Sequence, residues 1–317
     1  MRNTAIRDRD YRNKMEPALR NRLTFGPIML ASLLGLLWLD HAAETWTAGH
    51  GFRHQHGIGG IGLLALLLII LPPAVMETAH LLTAERIRPY RFIATVGSGA
   101  VVVHAFLTQF DFFEPIAASS LAFIVVAVML LAALRRAWIQ KTEGAIHHMA
   151  GTVLATLYLG GLAWFLLALR VKHATRSHQF EGSTLIVVFI LLTVKFTDIG
   201  AYFGGMALGK HKMILWLSPR KTWEGLFCGL FTAGLTGMAM APLIGRPMYW
   251  LPWWKGFLFG VLLGGIGQVG DLLESLMKRD AEVKDSGSLI PGFGGVLDVI
   301  DSPLLAAPFA YLAFSLL

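Results

Sequence analysis

The chain has 317 residues, of which 55% are hydrophobic and only 15% charged, where a soluble domain of this size carries about 25% charge. Stretches free of Asp, Glu, Lys and Arg, among them Phe92–Phe110, Gly144–Leu169 and Gly225–Gly245, reach the roughly 18 to 20 residues that a helix needs to cross hydrocarbon. A soluble fold is excluded. The formal charge of +7 is concentrated in a polar N-terminal stretch, and no basic stripe interleaves with aromatics on a soluble surface, so nucleic-acid binding gains no support.

In chain order, residues 1–22 form a polar, basic segment that reads as a cytoplasmic tail, too long and too mixed for a signal peptide. Nine apolar runs follow, near Leu23–Leu39, Ile58–Ala79, Phe92–Thr108, Ile116–Leu134, His148–Leu169, Ser183–Ala207, Gly225–Leu243, Gly256–Met277 and Ser302–Leu317. They predict an all-α, polytopic integral membrane protein of about nine transmembrane helices. Counting Lys and Arg in alternate loops favours N-in, C-out. Arg86, Arg88 and Arg91, then Arg135, Arg136 and Lys141, then Lys210, Lys212, Arg220 and Lys221, then Lys278, Arg279 and Lys284 fall inside. Only the loop holding Arg170, Lys172 and Arg176 breaks the pattern.

Two halves differ in character. Residues 23–170 are apolar spans with almost no charge at membrane depth, whereas residues 171–317 collect intramembrane charge and glycine-rich loops. No internal repeat is visible, which leaves inverted-repeat transporter architecture without help. Cys228 is the sole cysteine, so no intramolecular disulfide can form. His50, His54 and His56 have the spacing of an external zinc loop but no cysteines beside them, and they read as an ordinary loop.

Three segments of the second half carry chemistry. Lys195 and Asp198 sit three apart in a predicted span, so they can pair on one face. Ser218-Pro219-Arg220-Lys221-Thr222-Trp223-Glu224-Gly225 reads as a loop with two phosphate-binding cations and two hydroxyl donors, Ser218 and Thr222. The third segment begins with Asp271, Glu274, Ser275 and Lys278, which share one helix face. It continues through Lys284 and Asp285 and the glycine-rich run Pro291-Gly292-Phe293-Gly294-Gly295 to Asp298 and Asp301. Carboxylates offer the hard oxygens magnesium prefers, and glycines let backbone amides approach an anion. Charge in a bilayer is expensive and is usually retained for function.

At motif level this last segment resembles the signature of the phosphatidate cytidylyltransferase (CDP-diacylglycerol synthase) family. Ser275, Lys278, Arg279, Lys284, Asp285, Gly287, Pro291, Gly294, Gly295, Asp298 and Asp301 fall in register with it, and the S-P-R-K-T-W-E-G and D-I-G-A-Y segments look like that family's upstream motifs. Phe293 stands where the family has histidine, and Val299 where it has arginine. The resemblance implies transfer of a cytidylyl group from CTP to phosphatidic acid at the inner leaflet of a bacterial cytoplasmic membrane, with Mg2+ as cofactor. It implies a metal held by Asp285, Asp298 and Asp301, with Asp271, and catalytic Lys278, Arg279, Lys284 and Asp285. Ser218, Arg220, Lys221, Thr222, Lys195, Asp198, Ser275, Gly294 and Gly295 would contact substrate. Membrane lipids are the other expected partners, and there is room for a homodimer. Three alternatives stay open: another CTP-dependent lipid enzyme such as a polyprenol kinase, a catalytically impaired paralogue, or a transporter.

Overall fold

The computed structural model describes residues 2–49, 57–171, 183–244 and 251–316. Among these described residues ten α-helices follow one another: α1 (Arg2–Gly49), α2 (Ile61–Ala84), α3 (Arg91–Leu107), α4 (Ala117–Trp138), α5 (Ala145–Ala155), α6 (Leu162–Val171), α7 (Thr184–Leu208), α8 (Trp223–Ile244), α9 (Trp253–Asp280) and α10 (Leu297–Ser315). A π-helical stretch, Thr156–Gly161, joins α5 to α6 into one span. Between α7 and α8 lies a two-stranded antiparallel hairpin, β1 (Lys212–Ile214) and β2 (Ser218–Thr222). The protein is therefore all-α and polytopic. Among the described residues, eight helices are long and apolar enough to cross a membrane, and α3, the third predicted span, is a shorter apolar helix. The last span begins earlier than the apolar run implied, at Leu297 rather than Ser302, because Asp298 and Asp301 are folded into its first turns.

Large apolar side chains such as Phe92, Phe123, Phe227 and Leu312 are exposed, as expected for a surface that meets lipid tails. Inside the bundle, small residues bring helices together, since lipid-facing helices gain little from hydrophobic exclusion and associate through close packing. A Cβ at Gly229 would fall 2.7 Å from the Thr197 carbonyl oxygen of α7, and one at Gly256 would fall 2.5 Å from the Gly237 carbonyl oxygen of α8. These approaches lock α7, α8 and α9 into a tight group, and α10 packs along α9.

The N-terminal helices are not free of buried charge, contrary to the sequence reading. Arg170, at the end of α6, donates from Nε to Asp40 Oδ2 at 2.7 Å and from Nη2 to Glu44 Oε2 at 2.8 Å. Both the Arg170 and Asp40 side chains are fully buried. Asp40 also accepts from the Gly60 and Gly62 amides at 3.1 and 2.7 Å, tying α1 to the start of α2. Arg170 was one of the three cations that broke the charge-topology pattern; it is not a loop charge but the buried anchor of α1. Lys172, Arg176 and the His50, His54 and His56 loop lie outside the described residues.

Removing one member of a buried ion pair leaves the other uncompensated, at roughly 3–5 kcal/mol. Arg170→Leu is accordingly expected to lower the thermal unfolding midpoint of the detergent-solubilised chain markedly. Substituting the exposed Arg135 should leave it nearly unchanged. Equal midpoints for the two variants would show that the anchor is not structural.

Candidate active site

The site is built where the last turns of α9, the first turns of α10, the hairpin and the middle of α7 meet. In α9 the spacing of Asp271, Glu274 and Lys278 puts the three on one face, as the helical period requires. Lys278 Nζ donates to Glu274 Oε2 at 2.9 Å and to Asp298 Oδ1, on α10, at 2.8 Å. One ammonium thus bridges two helices, and Glu274 is almost completely buried.

Deeper in α9, Gln268 acts as an amide relay. Its Nε2 donates to Asp198 Oδ1 of α7 at 2.7 Å, while its Oε1 accepts from Lys221 Nζ of β2 at 3.0 Å. Lys221 also lies 2.6 Å from Asp271 Oδ2. The segment around Ser218–Gly225, expected as a loop, is a strand running into α8. Thr222 Oγ1 accepts from the Gly225 amide at 3.2 Å and so caps the first turn of α8. His211 and Glu224 close the base of the hairpin, His211 Nδ1 lying 2.6 Å from Glu224 Oε1. The hairpin is irregular in register, and its burial does not alternate: Pro219 and Arg220 are exposed while Lys221 turns inward to Asp271 and Gln268.

Asp271, Glu274 and Asp301 converge: each offers an oxygen, and these atoms lie within 4.8 Å of one another. Asp301 is buried, with Ser302 Oγ donating to its Oδ1 at 3.2 Å. Glu274 Oε1 is buried without a hydrogen-bond partner. A buried carboxylate oxygen left bare is costly, and three hard oxygens so placed match the donor set of a small divalent cation.

Of the predicted metal residues, Asp271 and Asp301 enter this cluster, and Glu274 joins them. Asp298 and Asp301 both turn toward α9 but meet different partners. Asp298 takes Lys278 on one oxygen. Its other oxygen accepts from the Gly295 amide at 2.6 Å, the Ser286 amide at 3.2 Å and Ser286 Oγ at 3.1 Å. Asp285 is exposed outside the cluster. The expected Lys195–Asp198 pair does not form; Lys195 Nζ instead donates to the Val299 carbonyl oxygen at 3.2 Å. That bond ties α7 to the first turn of α10.

The glycine-rich run forms a tight turn. Pro291 and Gly292 occupy its centre, Gly292 at φ 84°, and the Phe293 amide donates to the Ile290 carbonyl at 3.1 Å. Gly294 sits at φ 102°, where other residues are strained. Its amide donates to Ile290 and that of Gly295 to Asp298, so the amides expected to face an anion are satisfied within the protein. Arg220, Arg279 and Lys284, close in sequence to Lys221, Lys278 and Ser286, are exposed, and Arg279 Nε donates to the Leu217 carbonyl at 3.4 Å. Ser218 and Ser275 are half-buried nearby in sequence, on β2 and α9.

Comparison with known proteins settles the lineage. The profile described as "Cytidylyltransferase family" matches residues 22–317. The chain belongs to that family. It is 30% identical over 256 residues to the phosphatidate cytidylyltransferase of Bacillus subtilis, covering 81% of this chain and 91% of that protein. Identity is 43% over 163 residues with the phosphatidate cytidylyltransferase of Brucella suis, a match spanning 51% of this chain and 56% of the relative. The chain is also 34% identical over 192 residues to the uncharacterized protein YnbB of Escherichia coli, covering 59% of this chain and 61% of YnbB.

The sequence reading missed Glu274 as a cluster member, Gln268 as the relay, and Glu77 of α2, whose carboxylate reaches this same loop. Glu77 did leave a signal, an acid standing inside an apolar span. A Cβ at Gly295 would fall 2.5 Å from Glu77 Oε2, whereas one at Gly265 would meet only Leu230 Cδ2 at 3.6 Å. Gly→Ala in a helix interior is ordinarily stabilising by about 1 kcal/mol. Gly265→Ala should hold or raise the unfolding midpoint and Gly295→Ala should lower it; the reverse order would mean that the loop is not closed around Glu77.

Proposed function

We propose that the protein transfers the cytidylyl group of CTP to phosphatidic acid, releasing pyrophosphate and leaving CDP-diacylglycerol. The observation that carries the reading is the convergence of Asp271, Glu274 and Asp301 with Lys221 and Lys278 held against them, in a chain similar to the phosphatidate cytidylyltransferases of Bacillus subtilis and Brucella suis. A phosphate monoester oxygen is already ionised at neutral pH. The attack on the α-phosphorus of CTP therefore needs neither a covalent enzyme nucleophile nor a strong general base. Positioning and charge neutralisation suffice.

Asp271, Glu274 and Asp301 are the residues that would hold Mg2+, and the bare Glu274 oxygen is the feature of the site that fits it. When bound, that ion would supply charge neutralisation of the nucleotide's phosphates. Lys278, fixed between Glu274 and Asp298, orients the carboxylates. Lys221, held by Asp271 and Gln268, lies at the inner wall with Asp198. Arg220, Arg279 and Lys284 meet the triphosphate and the lipid phosphate, where arginine grips bidentately. Asp285 lies beside them. Phe293 and Val299 add no cation and no proton donor, which fits a reaction driven by electrostatics rather than by acid–base catalysis. The reading also places the protein in a bacterial cytoplasmic membrane, with the site end of the bundle facing the cytoplasm, where CTP is found.

The test combines the purified chain with labelled CTP, Mg2+ and phosphatidic acid. CDP-lipid and pyrophosphate in equal amounts are expected. Asp271→Asn, Glu274→Gln and Asp301→Asn should each lower turnover on the order of 100-fold, as losing a preorganised electrostatic element does. Phosphorylated lipid alcohol in place of CDP-lipid would assign a kinase, and lipid binding without CTP consumption an impaired paralogue. Undiminished turnover in all three variants would overturn the carboxylate assignment.

A further inference from the structure

Glu77 is an acid on α2, four and five residues after Pro73 and Pro72, and the one Asp, Glu, Lys or Arg of that helix. An ionised side chain at such depth is tolerated when paired, yet among the described residues it has no cation within ion-pair distance. Its partners are three donors from the far end of the chain. Val296 N donates to Oε1 at 3.0 Å, Leu297 N donates to Oε2 at 2.8 Å, and the Ser286 hydroxyl, whose one proton is shared with Asp298, lies 3.1 Å from Oε2.

Those two amides open α10. The helix starts after Val296, which has no side-chain oxygen and makes no cap of its own. The first amides of a helix are orphan donors, and a negative charge beside them is favourable. Here the cap comes from a different helix, about 220 residues earlier in the chain. The fit is close on every side: a Cβ at Gly287 would fall 2.5 Å from Glu77 Oε1, and one at Gly295 the same distance from Oε2.

The contact does not end at the cap. Ser286 Oγ lies 3.1 Å from both Glu77 Oε2 and Asp298 Oδ2, Asp298 Oδ1 accepts from Lys278, and Lys278 donates to Glu274. One helical turn past Asp298 stands Asp301, a member of the carboxylate cluster. The register of α10 against α9 is therefore set from α2. We infer that Glu77 is a positioning residue: it touches neither substrate nor metal, and it holds Asp301 and Asp298 where the cluster needs them. The kinetic part of this inference rests on the proposed cytidylyl transfer.

The test uses the full chain in lipid nanodiscs as parent, Glu77→Gln, Glu77→Asp, Ser286→Ala, the double variant Glu77→Gln/Ser286→Ala, and Met76→Ala as a lipid-facing control. The first readout is the rise in thermal midpoint with Mg2+ alone. The second is kcat and KM for CTP and phosphatidic acid. Removing a group bonded directly to a metal ligand typically costs 10–100-fold in affinity or activity, and Glu77, which reaches Glu274 through Ser286, Asp298 and Lys278, is expected at the low end of that range. Glu77→Gln should therefore need about tenfold more Mg2+ for the half-maximal shift and lose at least about tenfold in kcat, with the phosphatidic acid KM within about twofold. Glu77→Asp, which keeps the charge one carbon short, should fall between parent and Gln, and Met76→Ala should match the parent. The double variant should fall less than the two single effects predict, because both cut one chain.

Unchanged Mg2+ response and kcat in a folded Glu77→Gln would overturn the inference, as would strict additivity or a parent indifferent to Mg2+. A parent that makes no CDP-lipid but responds to Mg2+ would sink the functional reading alone. The Mg2+ titration would then decide the role of Glu77.

Discussion

The constraint on which the site depends is that several carboxylates must share a small, largely buried volume inside an apolar bundle. Asp271, Glu274 and Asp301 present oxygens within 4.8 Å of one another, and like charges so close in a medium of low dielectric repel strongly. Two lysines offset part of that repulsion. Lys278 joins Glu274 to Asp298, and Lys221 joins Asp271 to the Gln268 relay. The surrounding architecture serves these contacts. The hairpin carries Lys221 to α9, and the turn at Pro291–Gly292 returns the chain so that α10 can begin opposite Lys278. What remains without a partner, Glu274 Oε1, marks the place where a cation completes the arrangement.

The N-terminal helices, which look like inert spans, hold a buried polar contact at each end of α2. At one end Arg170 binds Asp40 and Glu44 and holds α1 against α2 and α6. At the other, Glu77 caps α10. The α2 helix runs between the two, starting at the glycines bound by Asp40 and carrying Glu77 near its far end. A helix so anchored transmits the position of the N-terminal bundle to the first turn of α10. The same half contributes a π-helical stretch, Thr156–Gly161, facing Ser98 of α3 through Gly160; such bulges are frequent at functional sites.

What could be read from sequence, and what could not, follows from the range of the interactions. The spans were legible because a bilayer demands long charge-free runs, and all nine apolar runs are helices here. The face shared by Asp271, Glu274 and Lys278 was legible because it is local to one helix. The motif from Ser275 to Asp301 was legible as a pattern, and the family it resembles is the one to which the chain belongs. Periodicity has no access to partners chosen across the fold. Spacing alone pairs Lys195 with Asp198, but the Val299 carbonyl across the helix interface is its partner. Composition suggests that the glycine-loop amides await an outside anion, yet the Gly294 amide is taken by the Ile290 carbonyl and the Gly295 amide by Asp298. Arg170 read as a loop cation because its two acids lie some 130 residues away.

The most direct measurement is anomalous scattering from crystals of the full chain grown with Mn2+ in place of Mg2+ and with CTP. The account predicts a manganese peak bounded by Asp271, Glu274 and Asp301, with Lys278 still bridging Glu274 and Asp298. A peak at Asp285 and Asp298 with that bridge broken, or a nucleotide bound with no metal near Glu274, would contradict it.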